Sequence, residues 1–204
     1  MIATVEFHFD FGSPNAYLSH RLIPHIEQRT GCTFEYVPIL LGGLFKLTNN
    51  EPPMVAYQHI PAKGAYARRE TERFIQRHGL RDFRRNPFFP VNTLKLMRAC
   101  LAAKELGCFE QYIEHVFRGM WEHELNMSAD EVIIQTLDQA GLAGQTLLEL
   151  AQAPHIKEQL IQNTQRSADM GAFGVPTFFV DGDIYFGKDK LTEIQEVLLA
   201  TKKT

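Results

Sequence analysis

Cysteine is scarce in this chain of 204 residues, and none of it stands in a redox arrangement. Cys32, Cys100 and Cys108 form no C-x-x-C pair, and their odd number argues against a secreted disulfide framework. Cys100 and Cys108 are eight positions apart in a helical region, where we expect them to pack as small apolar side chains. A fold held together by disulfides is therefore not expected.

Long apolar runs and a strong charge excess are also missing. No segment approaches the roughly 18 apolar residues that a membrane helix requires. The opening stretch MIATVEFHFDF lacks the basic start and apolar run of a signal peptide, and the closing ATKKT is no readable targeting signal. The net charge is −3. We expect a soluble, cytoplasmic protein with neither a nucleic-acid partner nor a membrane partner.

Most short catalytic motifs are absent as well. The chain has no G-x-G-x-x-G, no P-loop and no G-x-S-x-G, so these signatures of nucleotide binding and of serine hydrolysis are missing. Its eight histidines are scattered, and Glu122-His123-Glu124 is not the H-E-x-x-H pattern. We predict no metal site.

The first 40 residues read as a β-α-β unit. Residues 4–11, TVEFHFDF, alternate between an apolar and a polar face, which is typical of a strand. A helix is predicted from Pro14 to about residue 30, with Gly31 at its end and a kink at Pro24. A second strand, predicted over residues 33–39, should run parallel to the first.

The centre of the chain is predicted to be helical, and strands return near its end. After an expected loop at 40–53, helices are predicted near 61–78, 92–106, 108–122, 128–140, 142–151 and 154–170. Ser128 and Glu131 have capping-box spacing at the start of one of them. TFFVDGDIYF, residues 177–186, reads as a hairpin with Asp181-Gly182 at its turn, and a last helix should follow near 189–201.

This order of elements predicts an α/β fold: a thioredoxin-like domain with a large all-helical insertion, as in DsbA. We assign residues 1–41 and 172–204 to the thioredoxin-like domain and residues 42–171 to the insertion. In the thioredoxin plan a cis-proline precedes the third strand, and Pro176 stands there. Oxidoreductases of this plan carry C-P-x-C at the first turn, where this chain has Ser13-Pro14-Asn15-Ala16. Thiol–disulfide exchange needs two thiols, so that activity is excluded at this turn.

Four sequence blocks carry a more specific resemblance. They are residues 9–14 (FDFGSP) with Tyr17-Leu18, residues 49–53 (NNEPP), residues 172–177 (AFGVPT) and residues 186–191 (FGKDKL). In this order and spacing, the chain resembles the 2-hydroxychromene-2-carboxylate isomerases and the kappa-class glutathione transferases over essentially its whole length. The resemblance implies glutathione as cofactor and a small electrophilic substrate, expected to be an anionic aromatic compound. It also implies a homodimer.

The resemblance assigns a role to each matching residue. Ser13 matches the serine that holds the glutathione sulfur, and Asn50 matches an asparagine that contacts the tripeptide. Val175, before the cis Pro176, matches the residue whose backbone pairs with the cysteinyl unit in the manner of a short strand. The remaining two, Lys188 and Asp189, match the loop that receives the γ-glutamyl end. Where Lys188 stands, the family more often has Ser or Asn; Asp189 could take the ammonium group.

Ser13 has a physical rationale of its own. Ser-Pro at a helix start is by itself an ordinary N-cap. The same hydroxyl could also donate to a thiolate brought by a ligand, over the positive end of the helix. A charge-assisted hydrogen bond of about 1.5–3 kcal/mol could, with the helix end, lower the pKa of a bound thiol by about one to two, less the cost of desolvation. Because no base stands beside it in this window, a nucleophilic role for Ser13 is disfavoured.

Three outcomes remain open from the sequence. By resemblance to the isomerases, the thiolate adds to the unsaturated ring and is later expelled; in the transferase variant the conjugate is released. A non-catalytic thioredoxin-like module that binds a partner beside Val175 is the third. The acceptor pocket could be lined by Phe45, Phe88, Phe89 or Trp121. A cluster of eight basic residues between 63 and 85 is either a solvated helix face or a rim that attracts anions.

Overall fold

The computed structural model describes residues 4–201, and its centre is a four-stranded sheet of order β2-β1-β3-β4. The strands are β1 (Thr4–Phe9), β2 (Thr33–Pro38), β3 (Thr177–Val180) and β4 (Asp183–Phe186). β1 runs parallel to β2 and antiparallel to β3, so Phe7 lies opposite both Tyr36 and Phe178. The two ends of the chain therefore form one sheet, which confirms the predicted thioredoxin-like, DsbA-like plan.

Helices make up most of the described remainder. They are α1 (Pro14–Thr30), α2 (Leu41–Leu47), α3 (Pro53–Ala56), α4 (Pro61–His78), α5 (Leu94–Glu105), α6 (Phe109–Trp121), α7 (Asp130–Gln139), α8 (Gly144–Leu150), α9 (Pro154–Asp169) and α10 (Leu191–Thr201), with a 3₁₀ helix at Lys188–Lys190. Within residues 4–201, none of them has the length and apolar content that crossing a bilayer would require.

The apolar face of β1 is buried against helices. Phe7 stacks on Phe178 at 5.2 Å between ring centroids and on Phe9 at 5.4 Å. Phe11, just beyond the strand, contacts Phe117 of α6 at 4.8 Å. One cluster of buried apolar residues runs from these phenylalanines through α1, α5 and α6, so sheet and helical segment share a continuous core.

The polar face of β1 is covered too, by α9. His8 is fully buried, with Nδ1 at 2.9 Å from Ser167 Oγ and Nε2 at 2.9 Å from Glu6. Arg166 pairs with the same glutamate at 2.6 Å. Burial lowers the pKa of His8, although Glu6 acts in the opposite direction. The side chains of β1 therefore alternate between two covered faces of the sheet. One face is apolar, and the polar groups of the other are hydrogen-bonded.

Helix α6 fixes the turn between β1 and α1. The indole Nε1 of Trp121 donates to the carbonyl oxygen of Phe11 at 2.8 Å, and the Trp121 side chain is buried. Because this contact joins the helical segment to the residue two before Ser13, it positions the first turn of α1. No local pattern predicts this bond, which spans 110 positions.

The expected loop at 40–53 is wrong, because α2 occupies Leu41–Leu47. Gly42 and Gly43 disfavour an isolated helix. Leu44, however, is fully buried, and a Cβ on Gly43 would lie 3.3 Å from Thr164 Cγ2 of α9. Glycine permits the close approach of the two helices, and tertiary packing outweighs the local propensity.

The predicted capping box at Ser128 is also wrong. α7 begins at Asp130 after Ala129, and no side chain caps it. The Ser128 hydroxyl instead donates to Asn126 Oδ1 at 2.6 Å. The Ser128 hydroxyl therefore hydrogen-bonds to a nearby asparagine instead of capping the helix.

Candidate active site at the start of helix α1

Ser13 is the N-cap of α1, as the sequence predicts. Its backbone is extended, with φ −96° and ψ 116°, and its Oγ accepts a hydrogen bond from the N–H of Ala16 at 3.2 Å. Pro14 follows at the first helical position, where a missing N–H costs nothing. The serine side chain thus satisfies one N–H of the first turn and stays fixed at the helix start.

The same hydroxyl also contacts the proline loop. Ser13 Oγ donates to the carbonyl oxygen of Val175 at 3.2 Å, across 162 positions of sequence. The Val175–Pro176 peptide bond is cis, as the resemblance implies. Within residues 4–201, no protein acceptor takes a hydrogen bond from the Val175 N–H. This backbone therefore offers a donor beside the Ser13 hydroxyl.

The electrostatics of this point favour an anion. α1 is 17 residues long, and its first turn contains no acidic residue that would offset the positive end of the helix dipole. Ser13 itself is 6% exposed, so a group bound against its hydroxyl would be largely removed from water. A hydroxyl donor, a helix N-terminus and low exposure together suit a small anionic atom.

Asn50 lies against the segment that leads to the proline. Its Nδ2 donates to the carbonyl oxygen of Phe173 at 2.9 Å, two residues before Val175. The loop is tightened further by the Thr177 hydroxyl, which donates to Gly174 O at 2.7 Å. The structure therefore brings Asn50, Val175 and Ser13 into one region, although they are far apart in sequence.

Gly174 allows the ring of Phe186 to pack closely against this loop. A Cβ at Gly174 would lie 2.9 Å from the ring of Phe186, which in turn contacts Phe173 at 4.5 Å between centroids. Both phenylalanines are almost half exposed. The loop beside Val175 therefore presents an aromatic surface to solvent.

Lys188 and Asp189 flank the loop on the other side. The N–H of Gly187 donates to Pro176 O at 2.9 Å, which ties their segment to the proline. Lys188 Nζ is buried and contacts both carboxylate oxygens of Asp189, at 2.8 and 2.9 Å, and it also lies 4.5 Å from the ring centre of Phe74. Asp189 is largely exposed, and its carboxylate forms a salt bridge with Lys188.

Asp10 organises the turn before Ser13 through its carboxylate. From the sequence it was only a polar position three residues before Ser13. Its Oδ1 accepts from the N–H of Gly12 and its Oδ2 from the N–H of Leu41, each at 2.8 Å. The side chain of Thr93 lies near it, since a Cβ on Gly12 would be 3.3 Å from both Asp10 Oδ1 and Thr93 Cγ2. Complete burial raises the pKa of Asp10, and these donors oppose the shift. The carboxyl connects the first turn, α2 and the segment before α5.

The hydroxyl of Tyr17 and the thiols of the three cysteines do not add a reactive group to this site. Tyr17, one turn beyond Ser13, donates to Glu122 at 2.8 Å, and burial raises the pKa of its phenol. Cys32 and Cys100 are buried and Cys108 is partly buried, and none is disulfide-bonded. Burial also raises the pKa of Cys100 and Cys108. Reactivity through these two thiols is therefore suppressed.

Of the suggested acceptor residues, only some are accessible. Phe88 is exposed, Phe45 and Phe89 are partly buried, and Trp121 is 1% exposed. The Trp121 ring packs near Phe83 and so belongs to the core rather than to an open pocket. Among residues 4–201, no group of three or more His, Cys, Asp or Glu side chains is arranged to hold a metal ion.

Comparison with known proteins decides the family. The model of the DSBA-like thioredoxin domain matches residues 4–199. The chain belongs to this family.

Individual relatives of this DSBA-like protein fall into two groups. It is 25% identical over 202 residues to 2-hydroxychromene-2-carboxylate isomerase of Sphingobium xenophagum, covering 98% of this chain and 100% of the relative. It is also 25% identical over 211 residues to glutathione S-transferase kappa 1 of Homo sapiens, covering 96% and 90%. Both relatives match across the sheet and the helical segment.

Solved structures agree on the fold. A structure of 2-hydroxychromene-2-carboxylate isomerase superposes with a TM-score of 0.79 at 20% identity, covering 96% of this chain and 94% of that one. A probable DsbA oxidoreductase from Streptomyces coelicolor superposes with a TM-score of 0.74 at 19% identity, covering 98% and 89%. These likenesses confirm the DsbA-like architecture.

Proposed function

We propose that this protein is a glutathione-dependent isomerase of the 2-hydroxychromene-2-carboxylate isomerase type. The observation that carries the proposal is the position of Ser13. A hydroxyl caps the helix where disulfide oxidoreductases of this plan carry a thiol, and it lies 3.2 Å from the carbonyl oxygen before the cis-proline. A site with an anion-stabilising donor and no thiol of its own suits a sulfur that the ligand supplies.

The residues around Ser13 fit glutathione. The free N–H of Val175 and its carbonyl group offer a strand-like edge for a peptide, shaped by Pro176. The hydrogen bond from Asn50 to the carbonyl oxygen of Phe173 holds Asn50 beside this edge. We propose that Asn50 contacts the tripeptide. When bound, glutathione would supply a thiolate for reversible addition to an unsaturated, aromatic-derived substrate.

Lys188 and Asp189 are proposed to receive the γ-glutamyl end. Asp189 is the exposed partner of the pair and can accept from an ammonium group, while Lys188 holds the carboxylate in place from the buried side. A zwitterionic amino-acid end complements such a pair of opposite charges. Where Lys188 stands the family more often has Ser or Asn, so this contact departs from the family's pattern.

Ser13 has two tasks in this proposal. Its hydroxyl hydrogen turns from Val175 O toward the sulfur, while its oxygen keeps the hydrogen bond from the Ala16 N–H. Together with the positive end of α1, this donation lowers the pKa of the bound thiol and holds the sulfur at a fixed point. Catalysis by this chain is thus electrostatic and positional rather than nucleophilic.

The kappa-class transferase reaction is the second candidate, since several curated relatives are transferases of that class. Both reactions use the same glutathione site and differ in whether a conjugate leaves. A third possibility is a non-catalytic module that binds a peptide beside Val175 and Pro176. We further propose a cytoplasmic homodimer that acts in aromatic catabolism on an anionic aromatic substrate.

Two measurements test the proposal. Retention on immobilised glutathione, reversed by free glutathione, tests the cofactor site, and failure to bind contradicts both enzymatic candidates. Product analysis with a 2-hydroxychromene-2-carboxylate then decides the reaction. An isomer without net loss of glutathione supports the isomerase, a stable adduct supports the transferase, and binding without turnover of either kind favours the module.

A further inference from the structure

A cleft lies along the C-terminal half of α1, away from Ser13. It has a volume of about 390 Å³ and is bounded by α1, by the end of α4 and by the start of α10. Its first α1 residue, Leu22, is nine positions beyond Ser13, which corresponds to about 13 Å along the helix axis. The α1 side of the cleft is thus removed from the serine hydroxyl, while Lys188 connects the cleft to the segment that is tied to Pro176.

The floor of the cleft is apolar and comes from three elements. Leu22 and Ile26 of α1, Phe74 of α4 and Leu191 of α10 line it, and each is at least about nine-tenths buried. Phe74 is the single described residue of α4 that is fully packed against the body. The floor therefore offers a well-supported apolar surface for a small nonpolar group.

The walls of the cleft are positively charged. They carry His25 and Arg29 from α1, Arg77 and His78 from α4, and Lys188 from the 3₁₀ helix. None of the described residues that line the cleft is acidic. Asp189 next to it is already paired with Lys188. In a chain of net charge −3, Arg29 and Arg77 therefore form a local excess of positive charge.

A purely structural explanation covers only part of this excess. Arg29, Arg77 and His78 stand in the last turns of their helices, where cations are favourable on their own. Lys188 is explained by its pair with Asp189 and by its contact with the Phe74 ring. The helix ends do not explain why Arg29 and Arg77, from two different helices, line one cavity. Burial lowers the pKa of His78, and Arg77 and Lys188 add to that shift. A bound anion would be attracted to the guanidinium groups of Arg29 and Arg77.

We propose that this cleft binds an aromatic carboxylate, with its ring on Leu22, Ile26 and Phe74 and its carboxylate facing Arg29 and Arg77. The volume falls within the range of about 300–1,000 Å³ that is usual for small-molecule sites. The apolar floor would contact the aromatic ring, and the guanidinium groups of the wall would form hydrogen bonds with the carboxylate. The Ser13 hydroxyl takes no part in this inference, although Lys188 of the cleft wall also belongs to the proposed glutathione site.

The test is isothermal titration calorimetry of the full chain with 2-naphthoate and with its neutral counterpart, 2-naphthalenemethanol. The double variant Arg29→Gln/Arg77→Gln should weaken 2-naphthoate binding by about tenfold or more, because two charge-assisted contacts are lost. The matched control is Arg68→Gln/Arg69→Gln, which removes two exposed charges from α4 outside the cleft and should leave the affinity unchanged. Circular dichroism of both variants verifies that the fold is retained.

Several results would overturn the inference. They are absence of 2-naphthoate binding, full affinity in the double variant, or equal affinity for the neutral alcohol. Displacement of 2-naphthoate by inorganic phosphate at similar concentration would mean an unselective anion site. Displacement by glutathione would assign the cleft to the cofactor site instead. Ser13→Ala should leave 2-naphthoate binding unchanged, so the two proposals fail separately.

Discussion

The hydroxyl of Ser13 joins the start of α1 to the carbonyl oxygen of Val175 at 3.2 Å. The same oxygen accepts a hydrogen bond from the N–H of Ala16, also at 3.2 Å, so it connects the helix start with the cis-proline loop. Thiol chemistry at this point would need a sulfur from elsewhere, because the chain provides none in this turn.

Ser13→Ala should raise the pKa of the glutathione thiol in the complex by about one to two, because the hydroxyl donor is lost. Ultraviolet titration of the thiolate in the complex measures this shift. Ser19→Ala is the matched control, since Ser19 is also buried in α1 but donates to Asn15 O. An unchanged thiol pKa in Ser13→Ala would show that the serine is only a helix cap.

Asn50→Ala should weaken glutathione binding by up to about tenfold, because the proline loop loses its tie at Phe173 O. Stability should change little, since Asn50 is exposed. Calorimetric titration with glutathione measures the affinity. Asn163→Ala removes a similar tie, to Pro38 O at 3.0 Å, in another part of the molecule. Equal losses in both variants would contradict a specific role for Asn50.

Asp10→Asn should lower the free energy of unfolding by about 1–3 kcal/mol. Both carboxylate oxygens accept backbone N–H groups, so an amide nitrogen would face one of those donors. Urea denaturation at neutral pH gives the value. Asp82→Asn, at an exposed aspartate, should leave the stability within a few tenths of a kcal/mol. A neutral effect of Asp10→Asn would show that the turn does not need the carboxylate.

Glu114 should make stability depend on acid pH. A hydrogen bond from His20, with Arg21 adding to it, lowers the pKa of Glu114 from 4.5 to about 2. A lowered folded-state pKa gives a contribution that is present above about pH 4.5 and lost as the pH falls toward 2. Because the carboxylate is partly exposed, we expect on the order of 1 kcal/mol.

The measurement compares the protein with Glu114→Gln by urea denaturation from neutral to acid pH. The stability difference should be largest near neutrality and should shrink on acidification. Glu110→Gln, at an exposed position of the same helix, is the control and should show no such trend. A difference that grows as the pH falls would contradict the assignment.

Much of the fold could be predicted from local pattern. The alternation over residues 4–11 and the Asp181-Gly182 turn identified β1 and the β3–β4 hairpin, because strand periodicity and positive-φ turns depend on near neighbours. The helix α2 could not be predicted, since its two glycines are compensated by packing on α9. The division into a thioredoxin-like part and an insertion remains a prediction.

The candidate site was predictable only in part. Ser13 and Pro176 were identified through the resemblance and through their positions next to a helix and a strand. Asp10 and Trp121 were missed as supports of the turn, because their partners Leu41 and Phe11 are not marked by any motif. A residue whose role depends on backbone groups far along the chain leaves no periodic signal.

The sequence by itself determined the four strands, most of the helices, where α1 begins and that no cysteine stands at its first turn, because each of these follows from residues close to one another. Only the tertiary structure decided that Ser13 faces Val175, that Asn50 reaches Phe173 and that cations from three elements share one cleft. The reason is physical: these contacts join segments up to 162 positions apart, and burial of the shared core selects their arrangement.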